Sequence, residues 1–300
     1  FNYFINILSS TEIISILIHF FIIMIFCYAP TSICLLLKNN NNPDILNRLE
    51  IGIVLNLFIL LVLSFILRSG SDIIYYILII IFFNNFLFLL MDIFKKYKNK
   101  NLKINYIFVF LILLFFIFAI DLSNNLRIGW DAQNYWLAKK LVFTNGGDFF
   151  DLKNTPRDDY PYLGSFVWHI YSKFSLLGHE YFGRLFYLFL FLLSIFSITS
   201  IIKAKVFEKI ILIFILVFLI YKVELFNGYQ EIINFSLLIL LTKIFYEILT
   251  EKLPIKKFNN KFIYLFILIN SIIWIKSEST FLVIIFLFFL ILIKEINFKI

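Results

Sequence analysis

The chain has 300 residues, of which 62% are hydrophobic and only 15% are Asp, Glu, Lys or Arg, and its mean hydropathy is +0.94. Soluble domains carry about 25% charged and 45–50% apolar residues, so the composition excludes an ordinary water-soluble enzyme and points to an integral membrane protein whose first partner is the lipid bilayer. The net charge of +8 resides largely in lysines beside apolar runs, where they set topology, and no nucleic-acid partner is expected.

A membrane-spanning helix needs about 20 mainly apolar residues. Runs of this kind fall near 13–37, 50–67, 73–94, 104–120, 182–202, 209–226, 229–250, 261–275 and 280–294. They are apolar throughout, not alternating, which predicts helices and not the strands of a β-barrel. The expected fold is an all-α membrane protein of about nine transmembrane helices. Helices within 1–103 precede a core over 104–300 that includes one long polar loop at 121–181. No internal repeat is evident. The 41 phenylalanines are read as a compositional bias, not as a cofactor cage. Cys27 and Cys34 fall in the first run. Seven residues of helix would separate them by roughly 10 Å, too far for a disulfide. The chain opens on Phe1 without a basic leader or a small-residue cleavage site, and stops just beyond an apolar run. This pattern reads as a fragment or a processed form.

Orientation follows from the lysines. Lys95, Lys96, Lys98, Lys100 and Lys103 separate the third and fourth runs; Lys203, Lys205 and Lys209 the fifth and sixth; Lys252, Lys256, Lys257 and Lys261 the seventh and eighth; Lys294 and Lys299 follow the ninth. With nine spans all four groups share one side, which is then cytoplasmic. The 121–181 loop, the link near Glu224 to Glu231 and the link holding Lys276 and Glu278 are then extracytoplasmic.

Within the loop, Asp131 is placed to begin a short helix, with Gly129 permitting the turn before it. Helical spacing predicts one face carrying Asp131, Tyr135, Ala138 and Val142, and Tyr135 and Trp136 suit a helix in the headgroup zone. Asn145-Gly146-Gly147-Asp148 signals a turn. Pro161 fits the first position of a helix running towards Leu176, with Asp158 and Asp159 ahead of its N-terminus. His169 and His179 read as packing residues. By spacing alone, Asp131 is a cap or a functional carboxylate. Asp158 and Asp159 are turn acids or oxygen ligands of a divalent cation such as Mg²⁺ or Mn²⁺. Lys276 and Glu278 are a local pair, snorkelling residues or a functional site.

Gly129-Trp130-Asp131-Ala132, with Tyr135-Trp136 and Lys139, resembles the first outer-loop motif of the GT-C superfamily of membrane glycosyltransferases. The nearest branch is the bacterial one similar to protein O-mannosyltransferases and aminoarabinose transferases. Asp158-Asp159-Tyr160-Pro161 resembles its Pro-Asp-Tyr-Pro motif, Gly228-Tyr229-Gln230-Glu231 its Gly-Tyr-Ala-Asp element, and Lys276-Ser277-Glu278 its Lys-x-Glu element. The four come in family order over roughly 104–295. In place of Ala-Asp stands Gln230-Glu231, and three apolar runs precede the one that leads into the Asp loop.

The resemblance implies a polyprenyl-phosphate sugar donor and an extracytoplasmic acceptor. It makes Asp131 the base that activates the acceptor. Lys276 and Arg157 become the groups that neutralise phosphate, Glu231 and Tyr229 shape the sugar pocket, and Tyr160 and Glu278 join them in binding substrate. Asp158 and Asp159 are then the metal ligands or acceptor-positioning acids. Two other classes use such residues: an inactive relative of the same fold, and a lipid or sugar transporter, which typically shows repeated halves and broken helices.

Overall fold

The computed structural model describes residues 10–38, 43–66, 70–98, 105–250 and 260–298. Among these the chain is all helical, with no strand. α1 (Ser10–Phe26), α2 (Thr31–Lys38), α3 (Ile45–Ile66), α4 (Gly70–Lys98) and α5 (Tyr106–Asn124) precede the polar interval. α6 (Ala138–Thr144) and α7 (Leu163–Lys173) lie within it, and α8 (Tyr181–Thr199), α9 (Val206–Ile220), α10 (Glu231–Thr250), α11 (Asn260–Ile275) and α12 (Ser279–Phe298) follow.

Each predicted apolar run contains a helix among the described residues. Five helices, in α3, α4, α5, α8 and α10, are long and apolar enough to cross a membrane, and α1 with α2 passes the same test as a bent pair. α9 and α11 have 15 and 16 residues, short of the roughly 20 that a full span needs. This all-α, lipid-compatible architecture fits a membrane-embedded protein.

The single span expected over 13–37 is instead two helices bent by 56°. Pro30 lacks an amide donor and disfavours helical geometry in Ala29 before it, so the helix stops at Phe26 and restarts at Thr31. The carbonyl of Phe26 accepts a bond from Asn85 Nδ2 at 3.3 Å, and the Ala29 amide donates to Arg48 O at 3.3 Å. Cys27 at the break and Cys34 on α2 are both buried and free.

α8 is the central pillar. Its side chains from Tyr181 to Ser197 are buried, and α1, α3, α5, α7, α9 and α10 all pack on it. α4 is peripheral: Ile80, Phe83, Leu87, Met91 and Phe94 are exposed along it, an apolar stripe of the kind that faces lipid. α3 packs on α8 and α11 within one continuous hydrophobic core, so the helices before and after residue 104 are not separately packed.

The bundle has two distinct ends. At one, Phe65 of α3 meets Tyr162 and Trp274, joining the end of α3, the entry to α7 and the end of α11. At the other, Glu50 accepts bonds from Lys38, Lys243, Ser197 and Tyr264. Lys95, Lys96 and Lys98 close α4, and Lys261 lies in the first turn of α11. Lys100, Lys103, Lys252, Lys256, Lys257 and Lys299 lie outside the described residues, as does the side chain of Lys294.

Candidate functional site

The polar interval is docked on the bundle through glycine. Gly129 donates its amide to Asn227 O at 2.9 Å. A Cβ at Gly129 would lie 2.3 Å from the Tyr229 ring, so no larger residue fits without displacing that ring. The chain beyond turns at once into helix. Asp131 has helical dihedrals, φ −63° and ψ −35°, and its side chain makes no capping bond. The expected N-cap role is therefore not what the carboxylate does.

Residues Ala132–Leu137 form a π-helical turn, and this alters the predicted face. In an α-helix Asp131 shares its side with Tyr135; the i→i+5 pairing of a π turn brings the next residue round as well. Tyr135 and Trp136 both line the cleft that Asp131 opens on, whereas Ala138 and Val142 do not. Trp136 is buried, and its ring stacks on Tyr160 at 5.6 Å and 23°. It is a wall of the site and not the headgroup anchor that composition implied; Trp130 is the exposed tryptophan.

Tyr160 is held from three sides. Lys139 Nζ donates to its carbonyl, the Arg157 guanidinium lies 4.3 Å over its ring, and Arg157 Nη2 donates to its hydroxyl at 2.7 Å. Burial pulls the Lys139 ammonium down from 10.5 to about 8, against the opposing pull of Asp159 and Asp158. Arg157 also pairs with Asp159 at 3.6 Å. The helix expected to start at Pro161 starts at Leu163, with Tyr162 as its cap. Pro161 therefore precedes the cap and forms part of the cleft wall. Asp158 and Asp159 lie further back in the chain and are exposed, and Tyr162 makes no side-chain cap bond. The turn predicted at Asn145–Asp148 forms, with the Gly147 amide closing back on Val142 O at 2.9 Å.

Two further segments complete the site. Glu231 is the first residue of α10. The residue before it, Gln230, is fully buried and donates to Tyr187 Oη and Gly228 O, each at 3.3 Å. This anchors the head of α10 against α8 and leaves Glu231 facing out. Lys276-Ser277-Glu278 forms the non-helical turn between α11 and α12. Lys276 does not pair with Glu278: its Nζ donates to Glu231 Oε1 at 2.6 Å, while Glu278 Oε2 accepts from Ser277 Oγ at 3.3 Å.

The result is a polar cleft of about 300 Å³ lined by Asp131, Tyr135, Trp136, Tyr160, Pro161, Glu231, Lys276, Ser277 and Glu278. Beside it, sharing Tyr160, Pro161 and Ser277, lies a mainly apolar cavity of about 450 Å³, walled by Phe149, Phe150, Tyr162 and Trp274, among others, with Asp158 and Asp159 also lining it. No protein-family model, no curated protein and no solved structure matches this chain.

Of the residues singled out by sequence, Asp131, Tyr160, Glu231, Lys276 and Glu278 converge on the cleft. Asp158 and Asp159 belong to the neighbouring cavity, and Arg157 and Tyr229 line neither. Arg157 braces Tyr160, and Tyr229 wedges against Gly129. Among the described residues no group of three or more His, Cys, Asp or Glu side chains could hold a metal ion. Asp158 and Asp159 are exposed, and Asp159 pairs with Arg157 at 3.6 Å. His169 packs beside Thr144, its Nδ1 3.1 Å from Thr144 Oγ1, and His179 stacks on Tyr181. Trp136 and Gln230 carry structural roles at the site that α-helical spacing did not reveal.

Proposed function

We propose that this chain is a membrane glycosyltransferase of GT-C type that moves a sugar from a polyprenyl-phosphate donor to an extracytoplasmic acceptor on a glycan, lipid or protein. One observation carries the reading. Three stretches separated by long apolar helices, namely the polar interval with Asp131 and Tyr160, the head of α10 with Glu231, and the α11–α12 turn with Lys276, all line one polar cleft. Each of these four residues falls in a motif that resembles a GT-C element, and in the same order.

In this reading nine apolar segments cross the bilayer of a bacterial inner membrane, and the cleft opens on the extracytoplasmic face. The described lysines of α4 and α11 support that orientation, since they lie at the helix ends away from the cleft. The Asp131 carboxylate takes the proton from the acceptor hydroxyl or amine, worth about 10²–10⁴-fold in rate. The acceptor atom bonds to the anomeric carbon as the bond from that carbon to phosphate oxygen breaks, and polyprenyl phosphate leaves with the bonding pair. Lys276 offsets the charge that develops on the phosphate. Tyr135, Trp136 and Tyr160 wall the part of the cleft that takes the sugar, and the adjoining apolar cavity receives the first prenyl units.

The test is direct. Purified protein in lipid nanodiscs is incubated with a radiolabelled polyprenyl-phosphate sugar and a membrane extract as acceptor source. Label should pass from donor to an acceptor fraction, with polyprenyl phosphate released in equal amount. Unchanged donor across sugars and extracts would reject the reading.

A further inference from the structure

The cleft carries more negative than positive groups. Asp131, Glu231 and Glu278 line it, with Lys276 as the one cation among the lining residues. That lysine is already engaged, its Nζ 2.6 Å from Glu231 Oε1. A phosphate that comes to Lys276 therefore meets a carboxylate in the place it would take. The two partners differ in freedom. The Lys276 side chain is 22% exposed and that of Glu231 is 52% exposed, and the backbone under Glu231 is fixed by buried Gln230. Glu231 can swing into water while the head of α10 stays in place, and a pair this exposed costs little to open.

We propose that Glu231 is the displaceable counterion of Lys276: it occupies the lysine in the empty cleft, yields it to the phosphate of an incoming lipid ligand, and so sets the affinity for that ligand. The inference rests on the reading of the cleft as a site for a phosphate-linked lipid. A carboxylate and a phosphate repel one another at a shared ammonium, and whatever interaction Glu231 has with Lys276 must be given up on binding. Glu231 thereby lowers phosphate affinity, which favours release of the product, a phosphate monoester that carries more charge than the donor diester. The opposite arrangement, in which Glu231 holds Lys276 ready for its ligand, predicts the opposite sign on removal.

The experiment measures binding of a short-chain polyprenyl phosphate to the purified full chain by calorimetry, with the uncharged polyprenol of the same length as control. Wild type is compared with Glu231→Gln, Lys276→Met and the double variant. Glu231→Gln is nearly isosteric at a partly exposed position, so it leaves the bundle intact. Glu231→Gln should tighten binding of the phosphate roughly threefold to tenfold, as for loss of a partly exposed charge pair. Lys276→Met should weaken it, the double variant should bind as Lys276→Met does, and the polyprenol should not distinguish the four proteins. Equal or weaker binding by Glu231→Gln overturns the proposal, and so does the same tightening in the Lys276→Met background, because the carboxylate would then act without the lysine. If wild type binds the phosphate no better than the polyprenol, the phosphate-lipid reading of the cleft fails, and the counterion role falls with it.

Discussion

Glu50 and Lys243, 193 positions apart, meet at 2.6 Å at the end of the bundle away from the cleft. Glu50 is 1% exposed and its two oxygens serve Lys38, Lys243, Ser197 and Tyr264, so one carboxylate ties together α2, α3, α8, α10 and α11. Glu247 stands close to Lys38, Lys243 and Lys261 at 3.8, 3.9 and 3.5 Å. A buried pair of this kind is weak support for stability as it stands, but breaking it leaves charge without compensation. Glu50→Gln leaves Lys38 and Lys243 with only the more distant Glu247 as countercharge and should cost about 3 kcal/mol. Thermal unfolding of the purified protein in detergent reads this out, with exposed Glu224→Gln as the control that changes little. A Glu50→Gln protein as stable as the control would show that the charges are not buried together.

The approach of Gly129 to Tyr229 makes a second case. Gly129→Ala places a methyl where the ring now lies, 2.3 Å away. Overpacking of that sort costs about 1–3 kcal/mol, and here it also shifts the segment that carries Asp131. The single variant should lose stability and transfer, and Gly129→Ala with Tyr229→Leu should recover much of the stability. Wild-type melting of the single variant would contradict the close approach.

Lys139 gives the protein a pH dependence with a definite sign. Burial pulls its folded-state value down from 10.5 to about 8, so between those limits the folded protein binds fewer protons than the unfolded chain and stability rises with pH. Below about 8 the lysine is protonated in both states and the cost of burying its charge is fully present; towards 10.5 it disappears. The melting temperature of wild type relative to Lys139→Met should therefore rise from pH 8 to pH 10.5. A difference that stays flat over that window would mean the ammonium is solvated.

Asp131 separates base from structural acid. Its side chain makes no capping bond, so Asp131→Asn should leave protein level and melting unchanged. Transfer from the labelled donor should fall at least about a hundredfold. Near-normal turnover would remove Asp131 from the chemistry.

The apolar runs and the polar interval between them were legible in the sequence, because a bilayer places a local demand on composition: long stretches without charge, helical because buried amides must pair within the segment. Glu231 and Lys276 could be marked as charged residues beside apolar helices, whereas Asp131, which spacing also allowed as a helix cap, and Tyr160 stood out through the motifs they share with the GT-C family. Pro30 carried the signal for the broken first span, although a hydropathy reading passed over it. Tertiary structure alone decided which of the marked residues meet. The π turn brought Trp136 onto the face of Asp131, since a change of one residue in helical pairing is not written in the apolar pattern. Packing of α10 against the α11–α12 turn gave Lys276 to Glu231 across 45 residues, where proximity in sequence favoured Glu278. Glu50 and Lys243 each sat inside or at the edge of a greasy run without distinction. Their pairing depends on how helices far apart in the chain stand side by side, and that is set by contacts spread over the whole core.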